Sequence, residues 1–134
     1  MQPRITNDNP IDRRAFERFE LQRGYCAVAA RIDGRTLRGH AYDISEGGIQ
    51  FELDHPIEAG TPVVLKIELP PALLAASGDA HIGVPIVVEG NVVWCDTEEP
   101  GAARMALAVS RFVLESDRVR LLRVLSTSRV RRAA

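Results

Sequence analysis

Two short runs of polar residues have the types and the spacing needed to bind a ligand that carries phosphates and flat rings. The first run places two arginines four positions apart, at Arg14 and Arg18. A pair of guanidiniums suits both parts of such a ligand, because each planar fork can form two parallel hydrogen bonds to a phosphate and can also stack on a purine. Such a pair of side chains therefore suits a nucleotide, although the pair alone is weak evidence for one.

The second run begins about 25 residues further on, at Asp43-Ile-Ser45-Glu-Gly-Gly48. The carboxylate of Asp43 can accept hydrogen bonds from the N–H edge of guanine, and the hydroxyl of Ser45 can donate or accept. Gly48 has no side chain, so the backbone can come close to a flat ligand there. The two adjacent glycines also predict a turn with a positive φ or a close backbone approach.

The size and the charge of the chain limit its organisation and its partners. Its 134 residues, of which 46% are hydrophobic, suffice for one domain with a core. The formal net charge of -1 provides no overall field to attract nucleic acid or an anionic membrane. Lys66 is the only lysine, an arginine bias that a GC-rich genome would also produce. We interpret Arg129, Arg131 and Arg132 as a solvated tail rather than as a nucleic-acid patch.

The cysteines and histidines indicate neither a disulfide framework nor a metal or cofactor site. Cys26 and Cys95 each lie in an apolar run and are interpreted as buried free thiols. The histidines lack metal-ligand spacing and lie at His40, His55 and His81. The chain has no G-x-S-x-G motif, phosphate-binding glycine loop or clustered pair of acids, so we expect no catalytic role.

The beginning of the chain and its apolar runs bear on where the protein is located. Residues 1–10 are polar and are interrupted by Pro3 and Pro10, unlike a secretory leader. No apolar run reaches the roughly 18 residues that a membrane helix needs. We therefore expect a cytoplasmic protein that is not inserted in a membrane.

Short apolar runs separated by turn residues predict about six β-strands. These strands are expected at residues 25–32, 35–43, 49–53, 63–69, 86–95 and 103–109. Asp33-Gly34 predicts a type I′ hairpin turn, and Gly90 predicts a bulge or bend inside its strand. A short helix at Ala72 to Ala76 is one interpretation of the connection over residues 71–84.

After the last strand the apolar period changes to that of a helix. Glu115 or Ser116 is expected to cap this helix, whose apolar positions Val119, Leu122 and Leu125 are expected to face the strands. The arginines expected on its outer face are Arg118, Arg120 and Arg123. The sequence thus predicts an all-β fold, a six-stranded antiparallel barrel with a C-terminal α-helix.

The R-x-x-x-R run and the D-x-S-x-x-G run, in this order, resemble the two-part signature of the PilZ family of receptors for the bacterial second messenger cyclic di-GMP. The resemblance extends over nearly the whole chain, including the Val92-Val93-Trp94 run and the terminal helix. It implies a PilZ domain at residues 12–126, between a flexible leader at residues 1–11 and a flexible arginine-rich tail at residues 127–134. It also implies the same barrel with a helical cap.

The resemblance carries specific roles to five residues. Arg14 and Arg18 would clamp phosphate and stack on guanine, Asp43 and Ser45 would contact base edges, and Gly48 would make room for the ring. Each residue also has a structural interpretation. The arginines could be surface charges, Asp43 could close an Asx turn with Ser45, and Gly48 could serve only the turn geometry.

Two further residues are included in the predicted site. Arg13 would add a third guanidinium and favour an intercalated pair of ligand molecules; otherwise it is a solvated charge. Trp94, the only tryptophan, would lie beside the ligand; otherwise it belongs to the core or to the barrel surface.

These observations leave three classes of function. The first is a non-catalytic cyclic di-GMP receptor whose N-terminal arginine segment is ordered by the ligand and which signals in trans to an unidentified effector protein. The second is a PilZ-type adaptor that does not bind nucleotide, against which the intact motif residues count. The third is an enzyme, for which the sequence provides no nucleophile–base pair or metal site.

Overall fold

The computed structural model of the chain describes residues 19–20, 26–97, 102–127 and 131–132. In chain order the elements are β1 (Phe19–Glu20), β2 (Cys26–Ile32), β3 (Arg35–Ile44), β4 (Gly48–Leu53), β5 (Pro62–Glu68), α1 (Pro71–Ala76), β6 (Ile86–Asp96), β7 (Ala103–Phe112), α2 (Glu115–Thr127) and β8 (Arg131–Arg132). The leader predicted at residues 1–11 lies outside the described residues. The predicted tail is described only at Thr127, which ends α2, and at β8.

Strands β2 to β7 form a closed antiparallel barrel. Their order around the barrel is β2-β5-β6-β7-β4-β3, and the pairing of β2 with β3 closes the ring. The two-residue strand β1 pairs with the end of β3, and β8 pairs with β1. The prediction of a six-stranded antiparallel barrel with a C-terminal helix is confirmed.

The core of the barrel is formed by every second residue of its strands. In β4, for example, Ile49, Phe51 and Leu53 are buried while their neighbours are only half-buried. This alternation follows from the pleat, which turns successive side chains to opposite faces. The apolar faces of all six strands thus meet inside the ring, where burial of apolar surface stabilises the fold.

The two cysteines occupy different environments. Cys26 is fully buried, and its burial, with a smaller contribution from the charge of Glu68, raises the pKa of its thiol to about 12. It is therefore protonated at neutral pH and packs as a small apolar residue. The prediction of a buried thiol is wrong for Cys95, which is only half-buried near the end of β6.

Turn and bulge residues lie where the sequence predicts them. Asp33 and Gly34 both have positive φ, 49° and 77°, which confirms the type I′ turn between β2 and β3. The pairing of β6 with β7 shifts register between Glu89 and Gly90, as a bulge requires. A Cβ atom at Gly90 would lie 2.1 Å from the carbonyl oxygen of Ala108, so only glycine fits there.

Helix α2 packs against β6, β7 and α1 with a face different from the predicted one. Its buried residues are Asp117, Arg120, Leu121, Val124 and Leu125. The prediction is therefore right for Leu125. It is wrong for Val119 and Leu122, which are 45% and 36% exposed, and for Arg120, which is buried rather than on the outer face.

Arg120 is buried because two carboxylates and two carbonyl groups surround it. Its Nε donates to Oδ2 of Asp79 at 2.8 Å, and its Nη1 donates to Oδ1 of Asp117 at 3.2 Å. Its Nη2 donates to the carbonyl oxygens of His81 and Val84 at 3.1 and 2.8 Å. The cluster thus ties α2 to the segment that follows α1.

The short helix α1 confirms the helix predicted at Ala72 to Ala76, with one additional residue at its start. None of the helices in the described part of the chain is long and apolar enough to cross a membrane.

Candidate ligand-binding site

A row of residues from four strands crosses the outer face of the barrel beside the loop that joins β3 to β4. Asp43 of β3 is paired with Gln50 of β4. Ala106 of β7 is paired with Gln50 on one side and with Trp94 of β6 on the other. The small side chain of Ala106 leaves space between its larger neighbours.

A cavity of about 240 Å³ opens over this row and the adjacent loop. The residues that line it include Asp43, Ser45, Gly48, Gln50, Val93 and Ala106. The structure therefore brings together the three residues predicted from the D-x-S-x-x-G run.

A bulge in β3 directs Asp43 to the outside of the barrel. The register of β3 against β4 shifts between Ala41 and Asp43, which leaves Tyr42 as an extra residue. Without that extra residue Asp43 would share the face of Ala41, which is fully buried in the core. Asp43 instead lines the cavity, with 7% of the residue exposed.

Ser45 closes the turn between β3 and β4. Its Oγ accepts hydrogen bonds from the backbone N–H groups of Gly47 and Gly48, at 3.2 and 3.1 Å, and donates to the carbonyl oxygen of Gly48 at 3.1 Å. The backbone N–H of Ser45 donates to the same carbonyl at 2.9 Å. Since a hydroxyl has one donor and two acceptor positions, Ser45 could contact a ligand only by exchanging one of these bonds.

Gly48 closely approaches the backbone of β7 and does not have a positive φ. A Cβ atom there would lie 3.1 Å from the carbonyl oxygen of Leu107, which is tight, and the φ of Gly48 is not in the positive region. Of the two explanations that the sequence offered for this glycine, the close backbone approach is the one observed.

A bulge between β6 and β7 determines which residue of β6 faces the cavity. The pairing of β6 with β7 shifts register between Val92 and Trp94, so Val93 and Trp94 are both exposed, at 54% and 40%. Val93 lines the cavity, whereas Trp94 is not among its lining residues and lies at the end of the Gln50–Ala106 row.

Sequence reasoning missed Gln50 and Val93. Gln50 could have been found, because it follows Gly48 by two positions and so shares its face of β4. Val93 had no such signal, since its orientation depends on the bulge.

The cavity formed by the described residues is incomplete as a nucleotide site. Its 240 Å³ is below the roughly 300–1,000 Å³ of typical ligand pockets. None of the described residues that line it is an arginine or a lysine, so a phosphate would have no cationic partner there. The predicted cationic residues, Arg13, Arg14 and Arg18, lie outside the described residues.

The chain that follows these arginines forms β1, which pairs with the end of β3 beside the cavity. In β1, Phe19 is paired with Ile44 and Glu20 is paired with Asp43. The R-x-x-x-R run therefore ends one residue before a strand that is hydrogen-bonded to the edge of the candidate site. Among the described residues, no group of three or more histidine, cysteine or acidic side chains could hold a metal ion.

The described residues thus form a small closed antiparallel barrel with a C-terminal helix and a D-x-S-x-x-G turn at its rim. The model of the PilZ domain family matches residues 12–126 of this chain. The chain therefore belongs to the PilZ domain family. This match indicates no catalytic family.

The fold is shared by solved structures of other proteins, including the following two. The Bacillus subtilis inhibitor of motility, MotI/DgrA, superposes with a TM-score of 0.65 at 22% identity, over 87% of this chain and 51% of its own. This chain thus spans about half the length of that protein. The PilZ domain of YcgR from Escherichia coli, solved with cyclic di-GMP, superposes with a TM-score of 0.56 at 15% identity, over 87% of this chain and 92% of its own. Among curated proteins, no sequence matches this chain significantly.

Proposed function

We propose that this protein is a non-catalytic receptor for cyclic di-GMP. The observation that carries the proposal is the cavity in which Asp43, Ser45 and Gly48 meet beside β1, the strand that directly follows Arg18. The YcgR PilZ domain, which shares the fold, was solved with this ligand. A cytoplasmic location follows from the proposal, because cyclic di-GMP is made and sensed inside the cell.

Covalent geometry supports a role for Arg14 and Arg18. Consecutive Cα atoms are 3.8 Å apart, so the Cα of Arg18 is within about 3.8 Å of that of Phe19, which is paired with Ile44. Arg14 precedes Arg18 by four residues, so the Cα atoms of the two arginines are at most about 14 Å apart. In the proposed complex both guanidiniums lie at the open side of the cavity, where they supply the cations that its described wall lacks.

In the proposed complex the two halves of the site have separate tasks. Arg14 and Arg18 bind phosphate and stack on guanine, while Asp43 accepts hydrogen bonds from a guanine edge. Gly48 and Ala106 leave the wall flat enough for a ring, and Trp94 borders it. Binding orders the N-terminal arginine segment, and the ordered surface is recognised in trans by a partner protein.

The proposal predicts strong discrimination between cyclic di-GMP and cyclic di-AMP. Adenine lacks the N1–H and N2 amino donors of guanine, so a complex with cyclic di-AMP would lose the hydrogen bonds that the ligand donates to Asp43, at a cost of about 1–3 kcal/mol. Isothermal titration calorimetry should therefore show about 5- to 150-fold weaker binding of cyclic di-AMP. Asp43→Asn should reduce this preference, and Asp54→Asn, the same change at an exposed turn, should leave it intact.

Equal affinity for the two ligands would contradict the role of Asp43. Absence of any binding by the wild-type protein would favour a PilZ adaptor that does not bind nucleotide.

The proposal also predicts a stoichiometry that depends on Arg13. Three guanidiniums, from Arg13, Arg14 and Arg18, exceed the need of one ligand with two phosphates, so the same titration should give about two ligand molecules per chain. Arg13→Leu should lower this ratio towards one and leave measurable binding. A wild-type ratio near one that the substitution does not change would leave Arg13 as a solvated charge.

A further inference from the structure

An ion pair joins the loop at the candidate site to helix α2. Nη1 of Arg118 on α2 donates to Oε2 of Glu46, although the two residues are 72 positions apart in the sequence. Nε of the same arginine donates to Oε2 of Glu115 at 2.6 Å. The hydrogen bond to Glu46, and then the one to Glu115, raises the pKa of Arg118 above its usual value, so its charge persists.

Glu46 lies between two residues that line the cavity but is not itself among the lining residues. Its neighbours Ser45 and Gly47 both line it. Another long-range attachment of the loop is the hydrogen bond from the backbone N–H of Val109 to the carbonyl oxygen of Gly47, at 3.0 Å. That bond holds the loop to β7, whereas Glu46 holds it to α2.

Helix α2 is the fixed partner in this ion pair. Arg120, two residues after Arg118, is anchored in the buried cluster with Asp79 and Asp117. Leu121 and Val124 are fully buried. Elements with many buried apolar contacts open least readily, whereas Glu46, Gly47 and Gly48 of the loop are only half-buried. The ion pair therefore restrains the loop more than it restrains the helix.

We propose that Glu46 is a positioning residue for ligand binding, which acts by holding the Ser45–Gly48 loop against α2 through Arg118. The inference rests on the proposed function and extends it to a residue that does not touch the ligand. Arg118 has a second effect, because it neutralises a carboxylate next to a site for an anion. Loss of either partner removes the restraint between the loop and α2, and loss of Arg118 alone also leaves the charge of Glu46 uncompensated.

Calorimetric titration of cyclic di-GMP with Glu46→Gln, Arg118→Met and the double variant tests the ion pair. Each single variant should bind about two- to five-fold more weakly, as expected for a partly exposed pair, with an unchanged melting temperature. The double variant should bind no more weakly than the weaker single variant, because the two residues act through one contact. Glu89 and Arg111, a two-bond pair between β6 and β7 away from the cavity, provide matched controls. Glu89→Gln and Arg111→Met should bind as the wild type does.

A different pattern would overturn the inference. If Glu46 acted only through its charge, Glu46→Gln would bind the anion more tightly, Arg118→Met would bind it more weakly, and the double variant would be intermediate.

Hydrogen exchange of the free protein tests the loop without any ligand. The amides of Gly47 and Gly48, which donate to Ser45 Oγ, should exchange faster in Glu46→Gln than in the wild type and in Glu89→Gln. Unchanged exchange would overturn the positioning role. Failure of the wild-type protein to bind cyclic di-GMP would instead overturn the proposed function, and the exchange rates would still decide whether Glu46 holds the loop.

Discussion

Arg18→Ala and Arg14→Ala are each expected to abolish measurable binding of cyclic di-GMP without unfolding the barrel. Loss of one partner of a charged, hydrogen-bonded pair costs about 2–5 kcal/mol, which is roughly thirty-fold or more in affinity. Calorimetric titration measures the loss. The melting temperature of the free protein should hardly change, because the barrel core is formed by β2 to β7 and α2.

One further variant separates the geometry of the arginine clamp from its charge, and another serves as a control. Arg18→Lys keeps the positive charge but loses the planar fork, so its binding should also fall strongly. Arg38→Ala removes one exposed arginine from β3 outside the cavity and should bind normally. Normal binding by Arg18→Ala, or a loss of binding that accompanies unfolding, would contradict the clamp.

Arg120→Met is expected to lower the free energy of unfolding more than substitution of an exposed arginine does. It leaves the buried carboxylates of Asp79 and Asp117 without their cation, and breaking a buried ion pair costs about 3–5 kcal/mol of the free energy of unfolding. Urea unfolding measures this change. Arg111→Met removes the exposed partner of Glu89 and should cost much less, because exposed ion pairs contribute little to stability. Similar costs for the two variants would show that the cluster does not hold α2 in place.

The same cluster should make stability fall in acid. Burial alone would raise the pKa of Asp79, but the hydrogen bonds from the Arg120 side chain and the His81 backbone outweigh it and lower the pKa. The folded state therefore binds this proton less readily than the unfolded chain does. The resulting stability is present above the unfolded pKa of Asp79 and is lost as the pH falls through the folded pKa. Urea unfolding from neutral to acidic pH should show a smaller decline in Arg120→Met than in the wild type.

Local features of the sequence were sufficient to predict the six strands of the barrel and the sharpest turns, but not the two-residue strands β1 and β8. Alternation along β4 predicts a half-buried strand because the pleat has a period of two wherever that strand is paired. Asp33-Gly34 was interpretable because a positive φ is a local requirement. Gly90 was interpretable because a glycine inside a strand often marks a bulge, although the close contact that requires it comes from Ala108 of β7. The D-x-S-x-x-G residues are close in sequence, so one turn was enough to bring them together.

The orientation of the site depended on the partners of its strands. Asp43 faces the cavity because Tyr42 is an extra residue against β4, and Val93 lines the cavity because of a second bulge against β7. Each bulge is defined by the register between two strands, which neither segment specifies alone. The sequence therefore identified Asp43 but not the reason why it is outside the core.

The buried face of α2 was decided by tertiary structure alone. Apolar spacing favoured Val119 and Leu122 for the core, and charge placed Arg120 in solvent. In the folded protein Arg120 is buried because Asp79, 41 residues away, joins the nearby Asp117 in satisfying its guanidinium. Burial of a charge is tolerated when its desolvation is offset by such partners. A helical pattern predicts that a helix forms, whereas the face that it buries depends on partners that only the fold brings together.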